Sequence, residues 1–150
     1  MIELHRRFPD FMTLRSVALG LRDQDRDELA ATSPGVPHQD ALAAACDASD
    51  EVYVGVEEDL PVFLGGIRYA DGVAHPWLLG GELQRRNELP FLRLAKELVA
   101  RWGAAWRLEQ WVDARNTTSL RWLFWMGFQK GPVGYVNSYP FIQVVRPIHV

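Results

Sequence analysis

The chain has 150 residues, 48% of them hydrophobic, with a formal net charge of −3 and a single cysteine; this suits one domain, residues 1–150, that buries a core without staples. The acidic balance and the lack of any basic run argue against nucleic acid as the main partner. Cys46 alone permits no intrachain disulfide, no apolar span reaches the roughly 18 residues a membrane helix needs, and polar Glu3, His5, Arg6 and Arg7 stand where a signal peptide would be apolar, so the expected setting is cytoplasmic, or a particle assembled there.

Residues 2–6 read as a short first strand. Asp10 to Leu21 carries Phe11, Leu14, Val17, Ala18 and Leu21 at helical spacing, and Gly20 marks a break before a polar second helix over Asp23 to Ala31. Ser33-Pro34-Gly35-Val36-Pro37 is a turn, followed by an alanine-rich third helix, His38 to Cys46, in which Cys46 reads as a small core residue. The pattern then changes to β-branched runs. Val52 to Val56 and Val62 to Tyr69, linked by Glu57–Pro61, predict a hairpin, with Gly65-Gly66 signalling a bulge or a close backbone approach. After an Asp71-Gly72 turn, Val73 to Leu79 is the next strand.

Leu89 to Trp102 sets Leu92, Ala95, Leu98, Val99 and Trp102 on one stripe and Arg93, Lys96, Glu97 and Arg101 on the other, an amphipathic helix. Between strands 73–79 and 106–112 it predicts a βαβ unit with parallel strands and a right-handed crossover. In the second of these strands Trp106, Leu108 and Val112 alternate with Arg107, Glu109 and Asp113. Asn116 then reads as a helix cap, Leu120, Leu123 and Phe124 follow at helical spacing, and Gly127 supplies a left-handed stop before Phe128.

This run of strand end, Asn, short helix and Gly-Phe over residues 112–128 resembles the corresponding segment of the GNAT superfamily of N-acetyltransferases. Helices first, then a hairpin, βαβ and strand-helix-strand is also the GNAT order, over roughly residues 10–145. The resemblance implies an α/β (α+β) fold with a mixed, twisted central sheet flanked by helices. Pro76 to Leu83, taken with Phe91 to Leu94 and Val112 to Asn116, is more narrowly similar to acetyltransferase-like proteins encoded by short-tailed phages, some of them internal virion proteins and others regarded as host-takeover factors.

The resemblance implies acetyl-CoA as cofactor, with Asn116 and Ser119 beside its arm and backbone N–H groups near Leu79, Gly80 and Gly81 polarising the thioester carbonyl. Relatives hold the pyrophosphate in a Gln/Arg-x-x-Gly-x-Gly/Ala loop, here within residues 80–90. Aligning Arg85 with the first position puts Glu88 and Pro90 where small residues belong, a carboxylate and a residue with no N–H facing a diphosphate. Arg85 and Arg86 offset part of that as phosphate ligands, or are ordinary solvated residues.

Many relatives have a tyrosine acid seven positions after the Asn; here that position is Leu123, which has no proton to give. Tyr135, Tyr139 or water is left as the acid, and Glu82, through water, or His75 as the base. The four histidines (5, 38, 75, 149) lack ligand-like spacing, so no metal is expected. Trp122 and Trp125 lie on a helix that is apolar almost all round, which predicts either packing between the sheet and the C-terminal strands or a surface for a partner protein or a second copy, as in a homodimer. The sequence therefore points to a GNAT-fold protein with an altered cofactor loop that acts mainly by binding a host or virion protein, in the host cytoplasm or the virion. The alternative is an acetyl-CoA-dependent transferase acting on an amine of a protein or small molecule.

Overall fold

The computed structural model describes residues 2–80 and 88–148. The elements in chain order are β1 (Glu3–Arg6), α1 (Phe11–Leu19), α2 (Asp23–Thr32), α3 (His38–Asp47), β2 (Glu51–Glu57), β3 (Leu60–Ala70), β4 (Val73–Gly80), α4 (Glu88–Gly103), β5 (Arg107–Asp113), α5 (Thr117–Trp125), β6 (Gln129–Val136) and β7 (Tyr139–Arg146). Asp10, expected inside the first helix, caps it instead: its Oδ1 accepts the Thr13 N–H at 2.8 Å, so the helix starts at Phe11.

The strands form one sheet in the order β1-β2-β3-β4-β5-β7-β6, antiparallel throughout except between β4 and β5. Strand alternation gives the sheet two apolar faces. Val52, Val54 and Leu64 pack against Val17, Leu21, Leu42 and Cys46 of the N-terminal helical region. Tyr53, Phe63 and Ile67, one residue out of phase with them, pack with Phe91, Ala95, Leu98 and Trp102 of α4 and Leu120 of α5. Two-residue turns with both residues left-handed, Glu58-Asp59 and Asn137-Ser138, close the hairpins β2–β3 and β6–β7.

Of the two readings of Gly65-Gly66, close approach is the one observed. A Cβ on Gly66 would sit 2.7 Å from Trp77 Nε1, and that indole lies there to donate to Ser49 Oγ at 2.8 Å. The bulge of this hairpin lies elsewhere, at Gly55/Val56.

The β4–β5 ladder stops almost as soon as it starts, with Val73 opposite Arg107 and Ala74 opposite Leu108. Pro76 supplies a physical reason. Its carbonyl accepts from Gln110 Nε2 at 2.8 Å and so faces β5. In a strand the N–H and C=O of one residue share an edge, so at Pro76 the edge facing β5 has no donor to continue the ladder. Side chains take over beyond that point. His75 Nδ1 donates to Glu109 O at 3.1 Å, Gln110 Oε1 accepts the Trp111 N–H at 2.8 Å, and Glu28, from α2, accepts the Asp113 N–H at 2.8 Å. Side chains, His75 of β4 among them, thus take the place of main-chain bonds along the inner edge of β5, and the strands part.

Pro76→Val restores the missing donor. By amide hydrogen exchange, the N–H gained at position 76 is expected to exchange at least about tenfold more slowly than an unprotected amide, as a ladder bond forms. Exchange at the unprotected rate would show that the missing donor is not what separates the strands.

Candidate functional site

The parted strands enclose a cleft of about 310 Å³ that runs between the two faces of the sheet. Pro76 to Leu79 of β4 and Gln110 to Val112 of β5 form its sides; α2 and α3 bound it on one face, and Phe91, Ala95 and Val99 of α4 with Ser119, Trp122 and Leu123 of α5 on the other. The lining is mostly apolar. Among the described residues its ionisable groups are Arg22, Asp25 and Glu28.

These groups belong to a network that ties α2 to the end of β5. Asn116 caps α5 as expected, its Oδ1 accepting from the Ser119 N–H at 3.3 Å. Its Nδ2 donates to Asp25 Oδ1 at 3.1 Å and to Glu28 Oε1 at 3.5 Å, and the residue is 1% exposed. Gln24 Oε1 accepts the Thr118 N–H at 3.2 Å, a second contact of α2 with the start of α5. Asp113, which the alternation of β5 assigns to a polar face, is wholly buried. Arg115 makes that tolerable by a fork of hydrogen bonds, the shortest 2.7 Å from Nη2 to Oδ2.

Three carboxylates therefore meet two guanidiniums. Burial acts to raise the Asp113 carboxyl, but the side-chain and backbone hydrogen bonds from Arg115 outweigh it and hold the group below the ordinary carboxylate range. Arg22 pairs with Asp25 Oδ2 at 2.8 Å and lies 4.3 Å above the Trp122 ring. Glu28 has no such cation among the described residues. Burial, with smaller contributions from the charges of Asp25 and Asp113, pushes its carboxyl up to about 7 against the hydrogen bonds from Asp113 and Asn116. Glu28 thus titrates near neutrality inside the cleft. It was not singled out from the sequence, because its helix reads there as polar and solvated.

The residues expected at the site divide. Leu79, Ser119 and Trp122 line the cleft, as does Leu123 at the position of the absent acid. Asn116 adjoins it with its amide committed to α2 and the α5 cap. Gly80 ends β4, paired with Phe63. Gly81, Glu82, Arg85 and Arg86 lie outside the described residues. Tyr135 is 76% exposed on β6 at the sheet's edge and does not line the cleft. Tyr139 lies under Arg115, 4.3 Å from ring to guanidinium, and His75 bridges the strands. Trp122 and Trp125 part company: Trp122 is buried against Phe91 with ring centroids 5.8 Å apart, so it offers no outer surface, while Trp125 stays exposed beside Lys96.

No protein-family model matches the sequence, and no curated protein matches it. Solved structures do. A GNAT-family acetyltransferase from Bacillus anthracis superposes with a TM-score of 0.70 at 12% identity, covering 98% of this chain and 96% of that one. The ribosomal-protein-S18-alanine N-acetyltransferase from Escherichia coli gives 0.67 at 12% identity over 100% and 96%. An N-acetyltransferase from Staphylococcus aureus Mu50 gives 0.64 at 10% over 97% and 99%. The fold is that of the GNAT acetyltransferases, and at such identities the likeness speaks for the fold alone.

The raised Glu28 carboxyl sets a pH dependence. Below its ordinary value of 4.5 the group is protonated folded or unfolded; between 4.5 and about 7 the unfolded chain ionises first and binds fewer protons, so this group's contribution falls as pH rises through that window. Glu28→Gln keeps an acceptor for the Asp113 N–H and removes the titration. Urea denaturation is expected to show the variant gaining on the parent by about 3 kcal/mol between pH 4.5 and pH 8. A gap independent of pH would refute the assignment.

Proposed function

We propose that the chain is an acetyl-CoA-dependent N-acetyltransferase acting on an amine, with Glu28 as its general base. The observation that carries this reading is a carboxyl lining the β4–β5 cleft that burial holds near pKa 7, while the neighbouring guanidiniums of Arg22 and Arg115 pair with other carboxylates. A base poised near the working pH combines a usable ionised fraction with useful basicity.

The cleft residues fit the coenzyme's arm. Leu78, Leu79, Trp111 and Val112 offer an apolar channel between the parted strands. Arg22 Nη1, also at the cleft, is buried and has no hydrogen-bond partner among the described residues, a donor suited to an acceptor oxygen of the coenzyme. When bound, acetyl-CoA supplies a thioester carbonyl open to attack by an amine. Asp25 and Glu28 draw a cationic amine to the α2 side, and Glu28 takes the proton that the nitrogen must lose. Leu123 donates nothing, but a thiol of pKa about 8.5 leaves as a thiolate with water as the eventual proton source.

A second reading keeps the fold without the chemistry: a phage-encoded protein that works by binding a host or virion protein in the host cytoplasm or the particle. It draws on the exposed Trp125 and on Phe8, Phe11, Met12 and Leu19 around α1.

Thermal denaturation separates the two. Acetyl-CoA at about 100 times its dissociation constant should stabilise the fold by roughly 2.7 kcal/mol. Glu28→Gln should keep that shift yet lose acetylation of an amine acceptor by at least about 100-fold. Absence of any shift at saturating coenzyme would remove the enzymatic reading; loss of the biological effect in a Phe11→Ala, Trp125→Ala variant would then support the binding one.

A further inference from the structure

A second cavity, about 260 Å³, lies at the other end of α4, where the helix turns into β5. Its walls are aromatic: Tyr53 of β2, Tyr69 of β3, Trp102 of α4 and Trp106 of the α4–β5 turn. Tyr53 meets Trp102 edge-on with centroids 5.8 Å apart, and Tyr69 meets Trp106 at 4.8 Å with the planes tilted by 40°. Between the pairs stands Glu51, each carboxylate oxygen accepting one phenol at 2.5 Å, Oε1 from Tyr53 and Oε2 from Tyr69. Burial acts to raise this carboxyl, but the two phenols and the nearby Arg6 charge outweigh it and keep the group ionised.

We propose that this cavity binds a methylated ammonium group, seated between the two ring pairs with Glu51 as its counter-charge. Ring faces attract a cation through their quadrupole, and the C-terminal end of α4 adds partial negative charge on the same side. Methylation follows from the aromatic character of the walls. Each carboxylate oxygen already accepts a phenol, and Trp102 Nε1 is a buried donor with no partner among the described residues. A primary ammonium would have to shed its water shell and share the Glu51 and phenol oxygens with bonds already made, whereas a quaternary one gives up little hydration and rests on the ring faces. Arg6 competes only loosely: its Nη1 stands 3.9 Å from Glu51 Oε1 on a side chain 65% exposed. Arg101 lines the cavity as a second cation at its edge.

The test is a titration of 15N-labelled protein with tetramethylammonium chloride against sodium chloride at equal ionic strength. The Trp102 and Trp106 indole N–H resonances should shift saturably with tetramethylammonium alone, while that of Trp122, in the β4–β5 cleft, stays put. Glu51→Gln, which removes the charge and leaves one phenol an acceptor at Oε1 while the other can accept from Nε2, should weaken binding about tenfold, and the surface change Arg6→Ala should tighten it about twofold. No saturable shift, or an affinity that neither variant alters, overturns the proposal. Choline and a trimethyllysine peptide then distinguish sources: tighter binding of the peptide assigns the cavity to protein tails, and tighter binding of choline to free quaternary amines.

Discussion

The parallel ladder between β4 and β5 ends after Ala74 and Leu108, and the rest of the candidate site depends on that interruption. A continued ladder would have closed the central gap of the sheet and left no route between its faces. Parting two strands inside a sheet ordinarily strands backbone donors and acceptors away from water, at about 1–3 kcal/mol for each one left unpaired. This chain offsets part of that penalty. Gln110 bridges Pro76 O and the Trp111 N–H, His75 reaches Glu109 O, and Glu28 takes the Asp113 N–H. The cleft is held open by side chains that serve as substitute strand partners.

One of those substitutes is also ionisable, which links architecture to chemistry. Glu28 holds the end of β5 while standing among Asp25, Asp113 and Asn116, and the guanidiniums of Arg22 and Arg115 are each spent on a different carboxylate. Adding a third cation here would pull Glu28 back toward an ordinary carboxylate; removing one would place two uncompensated carboxyls together. Burial raises the Glu28 carboxyl most, and the charge count in this corner leaves that rise unopposed by a cation of its own among the described residues. The same contacts dock α2 against β5 and α5, so anything that alters the charge of Glu28 also acts on how the N-terminal helices hold to the sheet.

The local features of the fold were legible in the sequence because they are written in short-range patterns. The amphipathic stripe of α4, the β-branched runs of β2 and β3, and Asn116 followed by a 3-to-4 apolar spacing each depend on residues within one or two turns of each other. The site was less legible for the opposite reason. Glu28 meets Asp113 and Asn116 from far along the chain, on a helix whose composition alone describes a solvated surface. Period-2 alternation put Asp113 on a polar face, and only its fork with Arg115 accounts for its burial. Pro76 was visible as a residue, but its effect depends on which edge of β4 faces β5, a register that no local pattern contains. Trp122 and Trp125 shared one helical reading and differ because α4 covers the first and leaves the second exposed.

Leu123 takes on a different meaning beside Glu28. Both line the β4–β5 cleft, along with Leu79, Phe91, Val112 and Trp122. A tyrosine at position 123 would bring a hydroxyl, and with it water or a hydrogen bond, into this lining. Leucine keeps the lining apolar, and burial is the largest cause of the raised Glu28 carboxyl. The absent acid at Leu123 on α5 and the raised carboxyl of Glu28 on α2 are therefore mutually consistent. Under the proposed transferase reading, a thiolate can leave without assistance while an ammonium cannot attack until it has lost its proton, so one tuned group in the cleft serves best as a base.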